Sequence, residues 1–216
     1  LFFMWGFITV LVDALIPRLK EVFELTFLQA GLVQFAWFAT YGVLSIPGGN
    51  LISKIGYQRG ILVGLATAGM GCLLFYPAAA TRMYPLFLLA LFVVAGGITI
   101  LQVAANPYIS VLGPDESASA RLNLSQAFNS FGTTIAPVVA ASFLLGDQIL
   151  GSEEIGALGS ADRLAYYQSE ASAVQVPFVM LALAFFVLAG IVAAIKLPKI
   201  LGERAHSEAS YLGALD

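Results

Sequence analysis

Two apolar segments that carry several amide side chains decide how this sequence is interpreted. The first is Gln102-Val-Ala-Ala-Asn-Pro-Tyr-Ile-Ser-Val-Leu-Gly113, and the second is Arg121-Leu-Asn-Leu-Ser-Gln-Ala-Phe-Asn-Ser-Phe-Gly-Thr-Thr134. An amide in hydrocarbon is costly unless it is hydrogen-bonded, so amides within a membrane span mark candidate binding sites. A short polar loop separates the two segments. Together they predict two neighbouring membrane helices beside a polar site.

The composition is that of an integral membrane protein. Of the 216 residues, 59% are hydrophobic and 11% are charged, and the mean hydropathy is +0.89. Soluble domains carry about 25% charged residues. Apolar runs long enough to span a bilayer recur along the chain, which favours helices. The net charge of −3 is too small to predict a nucleic-acid partner, and the single cysteine, Cys72, excludes an internal disulfide.

The apolar runs predict an all-α membrane protein with six spanning helices. Their expected bounds are residues 1–18, 27–53, 60–80, 84–112, 119–146 and 174–197. The polar, acidic stretch 147–173 is predicted to connect the last two spans. Residues 1–198 are therefore expected to form one six-helix transmembrane domain, followed by a polar tail at 199–216.

Basic residues in the predicted loops indicate the orientation of the chain. Lysine and arginine are enriched on the cytoplasmic side of membrane proteins. One side carries Lys54, Arg59, Arg121, Lys196, Lys199 and Arg204, and the other carries Arg18, Lys20, Arg82 and Arg163. This bias predicts that both chain ends lie in the cytoplasm and that the acidic connection lies outside.

Four of the predicted helices carry a stripe of polar residues. Residues that are three, four or seven positions apart share a helix face. The stripes are Thr9, Asp13 and Pro17; Gln34, Trp37, Tyr41 and Ser45; Thr99, Gln102, Asn106 and Ser110; and Asn123, Gln126, Ser130 and Thr134. The third and sixth helices have few polar residues. The pattern predicts four helices around a wet cavity and two that face lipid or other helices.

The two halves of the chain also echo each other. Pro17 and Pro107 follow the key polar residues of the first and fourth helices, and Pro47 and Pro137 lie late in the second and fifth. Three-plus-three inverted repeats around a midplane site are typical of transporter folds.

These segments closely resemble the amino-terminal half of the fucose/glucose–galactose permease family, which is part of the major facilitator superfamily. The matching segments are Asp13-Ala-Leu-Ile-Pro17, Gln29-Ala-Gly-Leu-Val-Gln34, Ala104-Ala-Asn-Pro107 and 121–132. The resemblance implies sugar:proton symport by alternating access in the bacterial inner membrane. It also implies a three-plus-three inverted repeat, a carboxyl-terminal six-helix half that completes the transporter, and a cytoplasmic inter-domain loop that begins at 199–216.

The resemblance assigns roles to particular residues. Asp13 occupies the place of the family's protonatable aspartate, and Gln126 matches a glutamine that looks sugar-binding. Fucose permeases have a glutamate before the Ala-Ala-Asn-Pro segment, where this sequence has Gln102, so glucose or galactose is favoured over fucose. The superfamily's gating loop between the second and third helices usually has an acid where Ser53 stands. That predicted gating loop comprises Gly49, Ser53, Lys54, Gly56 and Arg59.

The predicted sugar contacts are side chains that can donate, accept or stack. Amides both donate and accept, as sugar hydroxyls require. The alternative for the amides is to join helices, for Asn106 to cap the backbone freed by Pro107, and for the aromatic residues to pack. The predicted set is Gln126, Gln102, Gln34, Asn129, Trp37, Asn106 and Tyr41.

Other classes of function stay open at this point. Sodium could replace the proton, and a non-transporting sugar sensor or an oligomerising six-helix scaffold would have the same composition. The sequence has no Ser/His/Asp set, no metal-spaced His/Cys cluster and no phosphate loop. We therefore expect no enzyme activity, no cofactor and no metal. The expected partners are a sugar, a proton and the lipid bilayer.

The replacement Asp13→Asn tests the proton role. We expect the variant to lose accumulation of sugar against a gradient and to retain exchange, because asparagine cannot take up and release a proton. Uptake and exchange of labelled sugar are to be compared in proteoliposomes. Uphill uptake equal to that of the wild type would contradict the assignment.

Overall fold

Helices make up nearly all of the structure. This structure is a computed structural model that describes residues 1–22, 26–144, 150, 152–195 and 197–198. The helices are α1 (Phe2–Val22), α2 (Phe27–Ile55), α3 (Tyr57–Thr81), α4 (Tyr84–Val111), α5 (Ala118–Leu144), α6 (Ser152–Ala157) and α7 (Ser160–Ala194). A short 3₁₀ turn, Asp115–Ser117, precedes α5. The described ranges contain no β-strand.

Four helical segments are long and apolar enough to cross a membrane. They are α2, α3, α4 and the Gln175–Ala194 part of α7. The apolar part of α1, Phe2–Ala14, is shorter, and α5 carries a polar stripe along its 27 residues. The predicted spans of α1 and α5 therefore differ from the other four in apolar length and in polarity.

The last helix begins earlier than the hydropathy predicted. The expected start was residue 174, directly after a polar connection over 147–173, but α7 begins at Ser160 and a separate short helix occupies Ser152–Ala157. The difference arises because hydropathy marks the apolar part of a helix, whereas helix-forming Ala, Leu, Gln and Glu extend it beyond that part. The remainder of the predicted connection, 145–149 and 151, and the predicted tail, 199–216, lie outside the described residues.

The predicted gating loop is not a loop. Gly49, Ser53 and Lys54 lie within α2, and Arg59 lies within α3. A single residue, Gly56, separates these two helices, at φ 82° and ψ 164°. Glycine adopts positive φ at little cost, so one residue suffices for the turn.

Helix packing is only partly related by the predicted repeat. The helix α3 packs most closely against α4 and α7, while α1 packs against α5 and α2 packs against α4. In the inverted repeat, α1 is equivalent to α4 and α2 is equivalent to α5. The α1–α5 contact is therefore equivalent to the α4–α2 contact. These two pairs therefore correspond between the halves, whereas the close α3–α4 contact has no equally close counterpart between α7 and α1.

Equivalent residues of the two halves are separated by a constant number of positions in the sequence. The proline comparison alone reveals this separation only in part. Identical residues recur 90 positions apart: Leu1 and Leu91, Phe2 and Phe92, Gly6 and Gly96, Ile8 and Ile98, Thr9 and Thr99, Leu11 and Leu101, Ala14 and Ala104, Pro17 and Pro107, Gly42 and Gly132, and Pro47 and Pro137. The equivalent threonines also make equivalent bonds. Thr9 donates to the carbonyl of Trp5 at 2.9 Å, and Thr99 donates to that of Ala95 at 2.7 Å. The helices α1 and α4 are therefore structural counterparts.

Glycines allow α3 and α4 to approach backbone to backbone. A Cβ atom on Gly64 would lie 2.7 Å from the amide nitrogen of Leu101 and 2.9 Å from the carbonyl oxygen of Gly97. A Cβ on Gly97 would meet the backbone of Ala68 and Gly64 in the same way. Only glycine fits such a crossing, because backbone atoms cannot rotate aside as a side chain can.

The replacement Gly97→Ala is expected to destabilise the protein. Overpacking costs about 1–3 kcal/mol, and here the methyl group meets backbone. The matched control is Gly190→Ala in α7, where an added Cβ would meet nothing within 4 Å. Thermal unfolding in detergent should show a lower midpoint for Gly97→Ala than for the control, and equal midpoints would contradict the packing argument.

Candidate functional site

A hydrogen bond joins the stripes of α1 and α2 at Asp13. The amide Nε2 of Gln34 donates to Oδ1 of Asp13 at 2.8 Å. The Asp13 side chain is exposed and that of Gln34 is half-buried. One oxygen of this carboxylate is thus held by an amide, while the side chain as a whole stays exposed.

A second hydrogen bond joins the stripes of α2 and α4. The amide Nε2 of Gln102 donates to the Tyr41 hydroxyl at 3.0 Å. The Tyr41 side chain also interacts with Trp5 and Thr9 of α1 and with Trp37 of its own helix. Three helices therefore converge on Tyr41, and the amide of Gln102 lies at the junction.

A small apolar cleft opens beside this junction, between α1 and α4. Its lining residues are Leu1, Phe2, Trp5, Leu101, Gln102 and Ala105. One lining residue, Gln102, has a polar side chain and also belongs to the α2–α4 bond. The cleft is shallow and its surface is apolar, so the Gln102 amide lies at its edge and points to the Tyr41 hydroxyl.

Trp37 and Tyr41 pack against each other. Their ring centroids are 6.3 Å apart, and Trp37 is 3% exposed within the core. The packing alternative for Trp37 therefore matches its position better than an open stacking surface. Stacking of either ring on a sugar stays a prediction.

The polar stripe of α5 is more open than the other three. Gln126 is half-buried and has no hydrogen-bond partner among the described residues, while Asn123, Ser130 and Thr134 are exposed. Asn129 behaves differently, because its Nδ2 donates to the carbonyl of Phe2 at 3.2 Å and so joins α5 to α1. The amide of Gln126 is thus available to a ligand, and that of Asn129 is partly engaged.

Asn106 holds a buried acceptor without a donor. Its Oδ1 is buried and has no hydrogen-bond partner in the described part of the chain. The alternative role, a cap on the backbone freed by Pro107, is not observed there, because no hydrogen bond of the Asn106 side chain is found. A buried unpaired acceptor costs about 1–3 kcal/mol, so a water, a ligand or another segment is expected to supply the donor.

Sequence reasoning missed the role of Arg121, which it treated as a basic loop residue. Its guanidinium donates to the carbonyls of Ile109 at 3.1 Å, Ser110 at 2.7 Å and Pro114 at 3.0 Å, and to the Ser117 hydroxyl at 2.6 Å. Arg121 therefore caps the end of α4 and holds the turn that leads into α5. Helix ends leave carbonyls without partners, and the planar fork of arginine can serve several of them.

Gln58 was also missed, and it acts at the end of α7. Its Nε2 donates to the carbonyls of Val192 at 2.9 Å and Ile195 at 2.8 Å. The neighbouring residues of the predicted gating loop, Lys54 and Arg59, are exposed. Periodicity gave no sign of this contact, because the partners are backbone atoms far along the chain.

The structure thus brings together the predicted polar residues of α1, α2 and α4, whereas most of the α5 stripe stays apart from them. Asp13 bonds to Gln34, and Gln102 bonds to Tyr41. The described residues contain no group of three or more His, Cys, Asp or Glu side chains that could hold a metal ion. The fold and this arrangement define a helical membrane domain with a polar site between its helices.

The family pattern of the Major Facilitator Superfamily matches residues 1–210, and the chain belongs to that superfamily. With its apolar spans, it is an integral membrane protein. The chain is 53% identical over 200 residues to a glucose/galactose transporter of Brucella abortus, covering 93% of this chain and 45% of that protein. It is 39% identical over 210 residues to the L-fucose-proton symporter of Escherichia coli, covering 97% and 48% respectively.

The fold is also similar to a solved structure of this superfamily. The crystal structure of FucP in the outward conformation matches with a TM-score of 0.79 and 38% sequence identity, over 91% of this chain and 48% of that one. The chain spans about half the length of the curated relatives that it matches. It therefore has the fold of the amino-terminal half of such a transporter.

The replacement Arg121→Lys is expected to loosen the connection between α4 and α5. One ammonium group cannot serve acceptors at Ile109, Ser110, Pro114 and Ser117 together. We expect faster amide hydrogen exchange over residues 110–120, at a cost of about 1–3 kcal/mol.

The matched control is Arg59→Lys, since Arg59 is exposed and no hydrogen bond of its side chain is found in the described part of the chain. Equal exchange rates in the two variants over residues 110–120 would contradict the capping role of Arg121.

Proposed function

We propose that this chain is the amino-terminal half of a secondary active transporter that moves a hexose by proton symport with alternating access. One observation carries the proposal: two hydrogen bonds on one face of α2 join this helix to an exposed carboxylate of α1, Asp13, and to an amide of α4, Gln102. The named functions of the similar proteins, glucose/galactose transport and L-fucose-proton symport, point the same way.

Glucose or galactose is the proposed substrate rather than fucose. The identity to the glucose/galactose transporter of Brucella abortus is 53%, against 39% to the Escherichia coli fucose symporter. Fucose permeases have a glutamate at the place that Gln102 occupies here, so Gln102 agrees with this choice. An amide both donates and accepts, whereas an ionised carboxylate only accepts, so the two groups suit different hydroxyl patterns.

Four amide side chains are proposed to bind the sugar. Gln102 lines the cleft, Gln126 has no partner within the described residues, and Asn129 and Asn106 each keep an unused oxygen. Their spread over α4 and α5 would contact different edges of a pyranose ring. Groups of the carboxyl-terminal half would complete the site.

Asp13 is proposed to carry the proton. Loaded from outside, the neutral carboxyl group allows the two halves to rock, and it releases the proton together with the sugar inside. A neutral group crosses a low-dielectric surrounding at far lower cost than a charged one.

The proposed placement is the bacterial inner membrane, with both chain ends in the cytoplasm. Residues 1–198 form the six-helix domain, and residues 199–216 begin the loop to the other half. The predicted gating residues Gly49, Ser53, Lys54, Gly56 and Arg59 would lie at the cytoplasmic surface. Of these, Lys54 and Arg59 are exposed, which suits contact with water, headgroups or the other half.

Uptake by proteoliposomes tests the proposal. The full-length gene product is reconstituted, and labelled galactose uptake is followed with and without an inward proton gradient. We expect accumulation above equilibrium only with the gradient.

Each other outcome contradicts a different part of the proposal. Flux that depends on a sodium gradient would replace the proton by sodium. Binding of sugar without flux would indicate a sensor. Transport of fucose in preference to glucose and galactose would overturn the proposed substrate.

A further inference from the structure

We propose that Gln34 and Tyr41 are positioning residues, which link the proton site on α1 to the sugar site on α4 through α2. This inference rests on the proposed function. It gives these two side chains a task other than sugar contact, because their polar groups are already engaged by Asp13 and Gln102.

Gln34 and Tyr41 connect α2 to two different helices. Gln34 and Tyr41 are seven residues apart, so they lie on one helix face, about 10 Å apart along the axis. Gln34 reaches α1, where it donates to Asp13 at 2.8 Å, and Tyr41 reaches α4, where it accepts from Gln102 at 3.0 Å. One straight stretch of helix thus holds both sites.

Buried side chains hold α2 in place near both bonds. Val33, Trp37 and Thr40 are at most 3% exposed, whereas most of the large apolar side chains of this helix are exposed. The stretch 33–41 therefore holds three of the buried side chains of α2, and both polar bonds begin within it. Because α1 and α2 touch at few places, the Asp13–Gln34 bond is a large share of their contact.

The strength of the Asp13–Gln34 hydrogen bond depends on the charge of the carboxyl group. An ionised carboxylate accepts the Gln34 amide in a charge-assisted hydrogen bond, which is about twice as strong as a neutral one. When Asp13 takes up a proton, its oxygen becomes a weaker acceptor and its new O–H becomes a donor. The Gln34 amide must then turn its oxygen toward Asp13 or release it.

The consequence is a link between protonation and the sugar site. A change in the α1–α2 bond shifts the anchored stretch 33–41, which carries Tyr41. Tyr41 in turn sets the position of the Gln102 amide beside the cleft. Proton arrival would thereby alter sugar binding without direct contact between the two ligands.

The first test is transport by the full-length gene product in proteoliposomes. Gln34→Leu should reduce proton-driven accumulation at least tenfold while sugar exchange stays within about twofold of the wild type, since the amide acts through Asp13. In the Asp13→Asn background, Gln34→Leu should have no further effect, because the bond to the carboxylate is already absent. Tyr41→Phe should raise the KM for exchange by removing the acceptor of Gln102.

The matched control is Ser45→Ala. Ser45 belongs to the same stripe of α2, but its hydroxyl donates within its own helix, to the carbonyl of Gly42. It should leave accumulation and exchange unchanged. Wild-type accumulation in Gln34→Leu would overturn the link. So would a loss of sugar exchange on Gln34→Leu that is equally large in the wild-type and in the Asp13→Asn background.

A second measurement keeps the two proposals apart. Spin labels at Val10 of α1 and Val43 of α2 report the distance between these helices without any sugar flux. Asp13→Asn and Gln34→Leu should change this distance in the same direction, because both remove the same charge-assisted hydrogen bond. If the wild type shows no proton-driven accumulation, the proposed function fails. Unchanged distances overturn the link whether or not transport is seen.

Discussion

The close crossing of α3 and α4 is the contact on which the bundle depends. Gly64 and Gly97 let the two backbones touch, so dispersion contacts and backbone proximity replace the hydrophobic drive that lipid does not supply. From this crossing α3 extends to α7, where Phe75 stacks on Phe178 with ring centroids 3.8 Å apart. The other face of α4 receives α2. The polar residues of α2 and α4 meet because this crossing fixes where α4 lies.

Polar side chains in the bundle divide into two groups by the partner they choose. Thr9, Thr40 and Thr99 donate to carbonyls of their own helices, which satisfies the hydroxyl without tying helices together. Amides and the guanidinium behave otherwise: Gln102 and Arg121 cross to other segments. Longer side chains with several donors therefore set the relations between helices. The three threonine hydroxyls leave those relations free to change.

Much of the fold could be predicted from apolar run lengths and helix periodicity. These patterns report how much of a segment is apolar and which residues share a face, so the spans and the polar stripes emerged directly. They do not report where a helix continues beyond the membrane, and the start of α7 at Ser160 was missed for that reason. Nor do they identify a neighbour across the bundle. For Gln34 the sugar contact stays a prediction, and periodicity gave no sign of its hydrogen bond to Asp13.

The contacts of Arg121 and Gln58 were beyond sequence reasoning for a related cause. Both side chains bind backbone carbonyls, and because every residue has one, the residue types do not reveal the acceptor. For Arg121, the nearby Gly113 offered a weak signal, since a Cβ there would lie 2.9 Å from the guanidinium. No comparable sign precedes Gln58. Its acceptors lie at the end of α7, more than a hundred residues further along the chain.

The repeat at a separation of 90 residues has a consequence for depth in the membrane. Inverted halves are related by a pseudo-twofold axis in the membrane plane, so equivalent residues lie at mirrored heights. Trp5 and Gln102 both reach Tyr41 and so lie near one level, which places the axis close to the equivalent pair Thr9 and Thr99. Asp13 and Gln102 then lie on opposite sides of that plane, each about 5 Å from it at 1.5 Å per residue. Carboxylate and amide thus occupy different depths although they lie on structurally equivalent helices, so it is the residues of the repeat, and not its geometry, that make the two faces of the domain unequal.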